Sequence, residues 1–318
     1  MMSLFPVLCV MGPTGAGKSA LAFELAKRFQ TEIVSVDSAM VYRGMDIGTA
    51  KPSREELAEI PHHLIDIRDP IDPYSAGEFR QDAWAAIQSI QAKNKLPILV
   101  GGTMLYFKAL QQGLSPLPKA QQSVREKIAQ EAQTFGWDVL HERLKLIDPK
   151  AALRIHPNDP QRLQRALEVY EITGHSMTTL QQQSPPGEMR SVRWINIAIN
   201  FDDRSVLHQR IANRFETMLQ TGLVEEVERL YRRGDLNPDL PSIRSVGYRQ
   251  VWRYLSGECS YGEMKEQAII ATRQLAKRQL TWLRAWSPIT WFDAAQMEID
   301  KVILGLKKQA VCCHCEER

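Results

Sequence analysis

The chain has 318 residues, with 40 Lys+Arg against 37 Asp+Glu and a formal net charge of +3. Its 44% hydrophobic and 24% charged residues give the balance of an ordinary globular protein, which excludes wholesale disorder and a disulfide-stapled scaffold. The longest apolar stretch, Leu4–Met11, is far short of the roughly 20 residues of a membrane span and has no basic leader, so a soluble cytoplasmic protein without a signal peptide is expected.

Leu4–Met11 reads as a buried strand, followed by a Gly-rich turn and a helix over Lys18–Phe29. Glu32–Val36 is a second strand, ending at Asp37-Ser38, and His63–Ile67 a third. Ala76–Lys93 places Phe79, Ala83, Ala86, Ile87 and Ile90 on one helical face. Leu96–Val100 is an apolar run that stops at Gly101-Gly102. Strands alternating with helices predict a parallel sheet covered on both faces. Ser115-Pro116-Leu117-Pro118 then reads as a linker. From Ser123 to about Gly174 the periodicity is helical throughout, over Ser123–Thr134, Trp137–Leu146 and Pro160–Thr173. A loop follows at Gln181–Gly187, and Trp194–Phe201 returns to strand. The rest is helical: Val206–Thr221, Val224–Arg232, Arg249–Ser256 and Tyr261–Trp286. The expected architecture is α/β, a core of 1–115 and 193–318 with a small all-helical insertion at 116–192. Nothing in the pattern assigns 294–318.

Five cysteines give no secreted-type framework: Cys9 and Cys259 stand alone, while Cys312, Cys313 and Cys315 crowd the tail. Tetrahedral zinc sites usually draw on two spaced pairs of ligands, so these three read as exposed thiols. The adjacent His62 and His63 point to opposite faces of a strand and read as packing or hydrogen-bonding groups.

Gly12-Pro13-Thr14-Gly15-Ala16-Gly17-Lys18-Ser19 matches the phosphate-binding G-x-x-x-x-G-K-[ST] pattern, and makes the core P-loop NTPase-like. Glycines let the backbone curl so that several N–H groups converge on phosphate oxygens. Lys18 adds a mobile positive charge, Ser19 a hydroxyl ligand for Mg²⁺, and the helix beginning there its positive end. The motif is specific for a di- or triphosphate and silent about which. An acidic partner for the metal is expected at a strand end. Leu96–Val100 ends in Gly101-Gly102-Thr103 instead, which leaves Asp37 and Asp66 as candidates.

The segment from Ser35-Val36-Asp37-Ser38-Ala39-Met40 through Lys51-Pro52, taken with the phosphate loop, closely resembles the bacterial tRNA dimethylallyltransferase (tRNA isopentenyltransferase) family. The likeness continues through Pro61-His62-His63-Leu64, Tyr74–Phe79, Val100–Thr103, Asp159–Glu168, Ser242–Arg249 and Ala271–Leu283. It covers about Val7 to Trp286. Eukaryotic members carry a C-terminal zinc finger whose spacing the tail here does not reproduce. The resemblance implies Mg²⁺-dependent transfer of a dimethylallyl group from dimethylallyl diphosphate to the exocyclic amine of the adenine just 3′ of the anticodon, in the anticodon stem-loop of tRNA; a monomer is expected. It implies catalytic roles for Lys18, Asp37 and Thr103, with Asp37 as base and Thr103 in the channel where donor and acceptor meet. Thr14 and Ser38 lie near the substrates, and Asp37, Ser38, Ala39 and Met40 match the segment contacting the target nucleotide. Contacts to tRNA are implied for Arg125, for Gln161, Arg162, Leu163, Gln164 and Arg165, and for Arg244, Ser245, Val246, Gly247, Tyr248 and Arg249.

Each role has a plainer alternative. Thr103 suits an N-cap for a helix through Leu105–Leu110, Asp37 a purely metal-binding carboxylate, and the arginines solvated helix faces. Arg162 and Arg165, at i and i+3, share a face suited to phosphates. Tyr248 between Arg244 and Arg249 suits stacking on a base. Arg273, Lys277 and Arg284 share one face of the late helix, and Leu275, Trp282 and Trp286 read as core. Two other classes compete: a P-loop kinase of a nucleoside or small metabolite, which leaves the arginine-rich segments unexplained, and a nucleic-acid-binding NTPase, for which no water-positioning residue is identifiable.

Overall fold

The computed structural model describes residues 5–183 and 192–312, the side chains of 5 and 307–312 excepted. The thiols of Cys312, Cys313 and Cys315, Arg190 and most of the Gln181–Gly187 loop lie outside the described residues.

Every named strand belongs to one parallel sheet: β1 (Phe5–Met11), β2 (Ile33–Val36), β3 (His62–His63), β4 (Ile98–Gly101), β5 (Val192–Asn200) and β6 (Thr290–Asp293), in the order β3-β2-β4-β1-β5-β6. Burial on both faces explains why β1 is an unbroken apolar run. Val7 to Met11 are all inaccessible to solvent. The side-chain alternation still sorts them. Leu8 and Val10 join Leu21, Leu25, Val302 and Ile303 in one cluster, contributed by α1 (Lys18–Phe29) and α14 (Ile299–Cys312). Elsewhere in the core α3 (Ala76–Ala92) and α4 (Met104–Gln112) meet through Phe79, stacked on Tyr106 with ring centroids 4.2 Å apart.

Helix starts follow local chemistry. Ser53, Ser75 and Ser260 each accept a hydrogen bond from the N–H three residues on, and the glutamate there accepts the serine's own N–H. These capping boxes open α2 (Arg54–Glu59), α3 and α13 (Tyr261–Arg284).

The expected third strand is much shorter than His63–Ile67. Leu64 and Asp66 have φ of 65° and 56°, which an extended strand cannot hold. Asp66 is instead drawn to Lys51 Nζ at 2.5 Å. Within the strand, His62 Nδ1 lies 2.7 Å from Ile60 O and His63 Nε2 lies 2.9 Å from Glu32 Oε2. At the other end β6 lies just after Trp286, where no element is expected, and the unassigned 294–318 contributes α14. Four residues are too few to show an alternation, yet β6 pairs with β5, in register Ile197 with Thr290.

The chain divides into two compact units, Met1–Gln111 with Ser191–Arg318, and Gln112–Arg190. The second is all helix: α5 (Gln122–Phe135), α6 (Trp137–Ile147), α7 (Pro149–Ala152), α8 (Pro160–Thr173) and α9 (Met177–Gln182). Its own core holds Ile128, Leu140, Leu144, Leu163 and Leu167. The first unit is completed by α10 (Arg204–Gln220), α11 (Leu223–Tyr231), α12 (Tyr248–Leu255) and α13. Among the described residues no helix is long and apolar enough to cross a membrane.

Candidate active site

In a parallel sheet the carboxyl ends of the strands lie along one edge, where ligands bind. Here that edge gathers the loop after β1, Asp37-Ser38 after β2 and Gly102-Thr103 after β4 around a cavity of ≈ 730 Å³. Gly101 lets β4 reach this edge beside β2, because a Cβ there would fall 2.0 Å from Val36 O. Gly12 meets the same restriction, 2.5 Å from Ile199 O.

Gly12 to Ser19 wrap from β1 into α1. Gly15 and Gly17 take φ of 84° and 92°, a curl that β-carbons resist. Lys18 Nζ donates to Pro13 O at 2.8 Å. Burial, with the nearby Arg214 guanidinium adding to it, lowers the Lys18 ammonium to about 8, against the pull of Asp37. Ser19, exposed in the first turn of α1, lines the cavity with Thr14 and Lys18.

Asp37 caps the turn that follows it: Oδ1 accepts the N–H of Ala39 at 2.8 Å and of Met40 at 3.3 Å. That leaves Oδ2 for another partner. Thr103 Oγ1 accepts Ser38 N–H at 3.1 Å and donates to Ser38 Oγ at 3.4 Å. The side chain thus ties β4 to the 37–40 turn, and the backbone carbonyl of Thr103 accepts Tyr106 N–H at the start of α4. Asp37, Ser38, Ala39, Met40 and Thr103 all line the cavity. Asp66 is engaged by Lys51 and is not a lining residue.

The arginine-rich 244–249 segment needs correction at one residue. Arg244 and Ser245 to Gly247 line the cavity, and Arg249 is exposed outside the lining. Tyr248 is fully buried, its hydroxyl donating to Glu226 Oε1 at 2.6 Å and its ring packed on Gly48. The residue borders the cavity, but its ring is covered rather than open for stacking on a base. Trp282 was expected in the core and is instead 41% exposed; it lines the cavity with Leu275, whereas Trp286 is buried.

In the helical unit the expected contact residues divide. Leu163 is wholly buried in that unit's core, where its aliphatic side chain is held by packing rather than offered to a polyanion. Arg125 and Arg165 turn onto the buried Glu168: Arg125 Nε donates to Oε1 at 2.9 Å, and Arg165 Nη1 to Oε2 at 2.6 Å. Burial alone would raise the Glu168 carboxyl, and these two guanidiniums hold it below its ordinary value. Of the two arginines expected to share a phosphate-facing surface, Arg165 is thus engaged by Glu168. Arg162 is 72% exposed beside Asp159, Gln161 is exposed, and Gln164 donates to Arg125 O at 3.0 Å.

Two further side chains at the cavity are not among the expected site residues, although Gln279 lies within the 271–283 stretch of likeness. Arg214, from α10, donates to Thr14 Oγ1 at 3.1 Å and to Thr49 O at 3.4 Å. Gln279, from α13, accepts Thr14 N–H at 2.8 Å and donates to Gly102 O at 2.9 Å. In the sequence Arg214 is one of three arginines, with Arg204 and Arg210, and nothing singles it out; only the turn of α10 toward the phosphate loop does so.

No group of three or more His, Cys, Asp or Glu side chains suited to a metal occurs among the described residues. A divalent ion here would be shared between protein oxygens and the phosphates of a ligand, as Mg²⁺ commonly is. The exposed Ser19 hydroxyl is an oxygen donor of that kind, so the residues present fit such an ion.

The family model for IPP transferase matches residues 40–286. The tRNA dimethylallyltransferases of two Coxiella burnetii strains, Dugway 5J108-111 and RSA 493, are 55% identical over 302 residues, covering 95% of this chain and 97% of theirs. Among solved structures, the full-length tRNA isopentenylpyrophosphate transferase of Bacillus halodurans superposes with a TM-score of 0.69 at 36% identity, covering 97% of this chain and 96% of that one. A eukaryotic dimethylallyltransferase captured acting on tRNA gives a TM-score of 0.74 at 27% identity, covering 91% of this chain and 74% of that one.

Proposed function

The chain belongs to the IPP transferase family and is a prenyltransferase that transfers a dimethylallyl group to tRNA, and we propose that it moves this group from dimethylallyl diphosphate to the exocyclic N6 amine of the adenine 3′-adjacent to the anticodon. The observation that carries the finer reading is the cavity itself. It is lined by a loop built for a diphosphate, by a carboxylate whose Oδ2 makes no bond among the described residues, and by cationic and aromatic side chains, among them Arg244, Arg278 and Trp282. A kinase would need the phosphate loop and the carboxylate but gives no account of those last three.

In the reaction proposed, the allylic C–O bond breaks as the N6–C bond forms, and pyrophosphate leaves. Negative charge grows on the leaving oxygens. Lys18, Arg214 and the N–H groups of the 12–19 loop face that charge from fixed positions, the kind of electrostatic stabilisation that often supplies the largest catalytic term. Ser19 would help hold a Mg²⁺ on the diphosphate, and such an ion would further neutralise the leaving group. The adenine amine is weakly nucleophilic because its lone pair is delocalised into the ring. Asp37 orients it and takes its proton on Oδ2, while Oδ1 stays bound to the turn. Thr103 holds Ser38 and so the shape of that turn.

An adenine stacked in a loop has to be turned out to enter such a cavity. We assign the exposed Arg244 and Arg249 to the surrounding phosphates, and the helical unit, through Gln161 and Arg162, to another part of the same tRNA. The protein is further proposed to act as a cytoplasmic monomer.

Mass spectrometry of unmodified tRNA incubated with the protein, Mg²⁺ and dimethylallyl diphosphate tests this directly. A prenyl-sized gain on the adenine beside the anticodon is the expected result. No gain, with ATP consumed instead, would return the loop to a kinase or ATPase role.

A further inference from the structure

Glu226, on α11, is 2% exposed, yet no lysine or arginine bonds to it among the described residues. Four neutral donors surround it instead. Oε2 accepts the backbone N–H of Asp46 at 3.0 Å and of Ile47 at 2.8 Å. Oε1 accepts Gly48 N–H at 3.2 Å and the Tyr248 hydroxyl at 2.6 Å. A buried carboxylate without a cation is costly to keep, and three consecutive N–H groups aimed at one side chain require a backbone shaped around it.

The two segments it joins both border the cavity. Gly48 and Thr49 belong to one, Gly247 and Tyr248 to the other. They meet so closely that a Cβ on Gly48 would fall 2.5 Å from the Tyr248 ring. Thr49 then carries the constraint inward: its carbonyl accepts Arg214 Nη2, and Arg214 Nη1 donates to Thr14 Oγ1 in the phosphate loop. A continuous set of bonds thus runs from Glu226 through the 46–49 backbone to the guanidinium beside Lys18.

We propose that Glu226 is a positioning residue for the transfer, fixing the 46–49 turn against Tyr248 so that Arg214 is held in place for the diphosphate. The inference rests on the transferase reading above. Glu226 touches no substrate and acts only through Arg214.

The test uses the full chain with Glu226→Gln, Arg214→Lys and the double variant, and Glu32→Gln as a control. Glu32 is likewise buried, but does not line the cavity and bonds to His63 and Lys93 instead. Glu226→Gln sets an amide NH₂ against existing donors, so kcat/KM for the donor should fall about 10- to 100-fold, chiefly through KM. Binding of inorganic pyrophosphate by calorimetry should weaken alongside. Because the effect passes through Arg214, the double variant should lose no more than the worse single variant, whereas independent roles multiply. Glu32→Gln should lower Tm and leave the donor KM alone. A Glu226→Gln protein with a reduced Tm and an unchanged donor KM, or losses that multiply, would overturn the proposal. Should that variant fail to fold, Tyr248→Phe removes one of the four donors and should raise the donor KM about threefold; no change there would overturn it too. Absence of transfer by the unsubstituted protein counts against the transferase reading alone, since pyrophosphate affinity still reports on Glu226.

Discussion

Lys18 illustrates how one side chain is set by its neighbours. Burial and Arg214 disfavour its charged form, Asp37 favours it, and the balance leaves the ammonium at about 8. Below that pH the free protein presents a cation to the diphosphate. Above it the site is weaker by one charge, and binding has to take up a proton. Accordingly kcat/KM for the donor should fall as pH rises through about 8, and Arg214→Gln, which removes a neighbouring cation, should move that limb to higher pH. A pH–rate profile under donor-limited conditions checks both, and a limb unmoved in the variant would separate it from Lys18. Asp37 calls for a different substitution. Alanine there would also release Ala39 and Met40, whereas Asp37→Asn keeps an oxygen for those N–H groups and removes only the proton acceptor. We expect kcat in single turnovers to drop by roughly 10²–10⁴ while tRNA affinity stays within about twofold. Transfer at the unsubstituted rate would take the base role away from Asp37.

Among the elements, the end of β4 shows why neighbouring glycines need not behave alike. A methyl on Gly101 would meet backbone, Val36 O at 2.0 Å, and backbone in a six-stranded sheet cannot move aside. Gly101→Ala should destabilise by about 3 kcal/mol, the upper end of overpacking. A methyl on Gly102 would meet the tip of Gln279 at 2.3 Å, a flexible side chain that can swing away. Gly102→Ala should therefore keep nearly the full Tm and raise the donor KM, since the Gln279 bridge from Thr14 to Gly102 is lost. Thermal melting with donor kinetics on both variants distinguishes the two mechanisms; equal losses of Tm would refute the distinction. These elements were legible to different degrees in the sequence. α1 and α8 have the bounds that their periodicity predicts, because the phosphate loop, and Asp159 with Pro160, mark where each helix begins. β3 was overextended because apolar alternation carries no sign that Leu64 and Asp66 adopt positive φ. In the site, the phosphate loop and Asp37 announce themselves through local pattern. Arg214, Gln279 and Glu226 act across 165 to 265 residues of chain, and no local pattern encodes such a distance.

For the whole molecule, a net charge of +3 says little about affinity for a polyanion; what matters is which cations are already spent. Arg125 and Arg165 neutralise Glu168 inside the helical unit, and Arg233 is shared by Asp69 and Asp235. Arg162 is 72% exposed and holds Asp159 only at 3.4 Å. Counterion release counts cations that meet phosphates, not cations in the composition. Arg162→Ala should therefore reduce the slope of log K against log salt for tRNA binding by about 1 and leave the unfolding of the chain nearly unchanged. Arg165→Ala should do the reverse. It leaves Glu168, wholly inaccessible to solvent, with one guanidinium instead of two, and the cost of a poorly paired buried charge falls on stability. Filter binding of tRNA over a range of salt, set beside urea denaturation of each variant, checks the pair. If Arg165→Ala flattened the salt slope and spared stability, its guanidinium would have to leave Glu168 for the tRNA in the complex, and the helical unit would rearrange on binding.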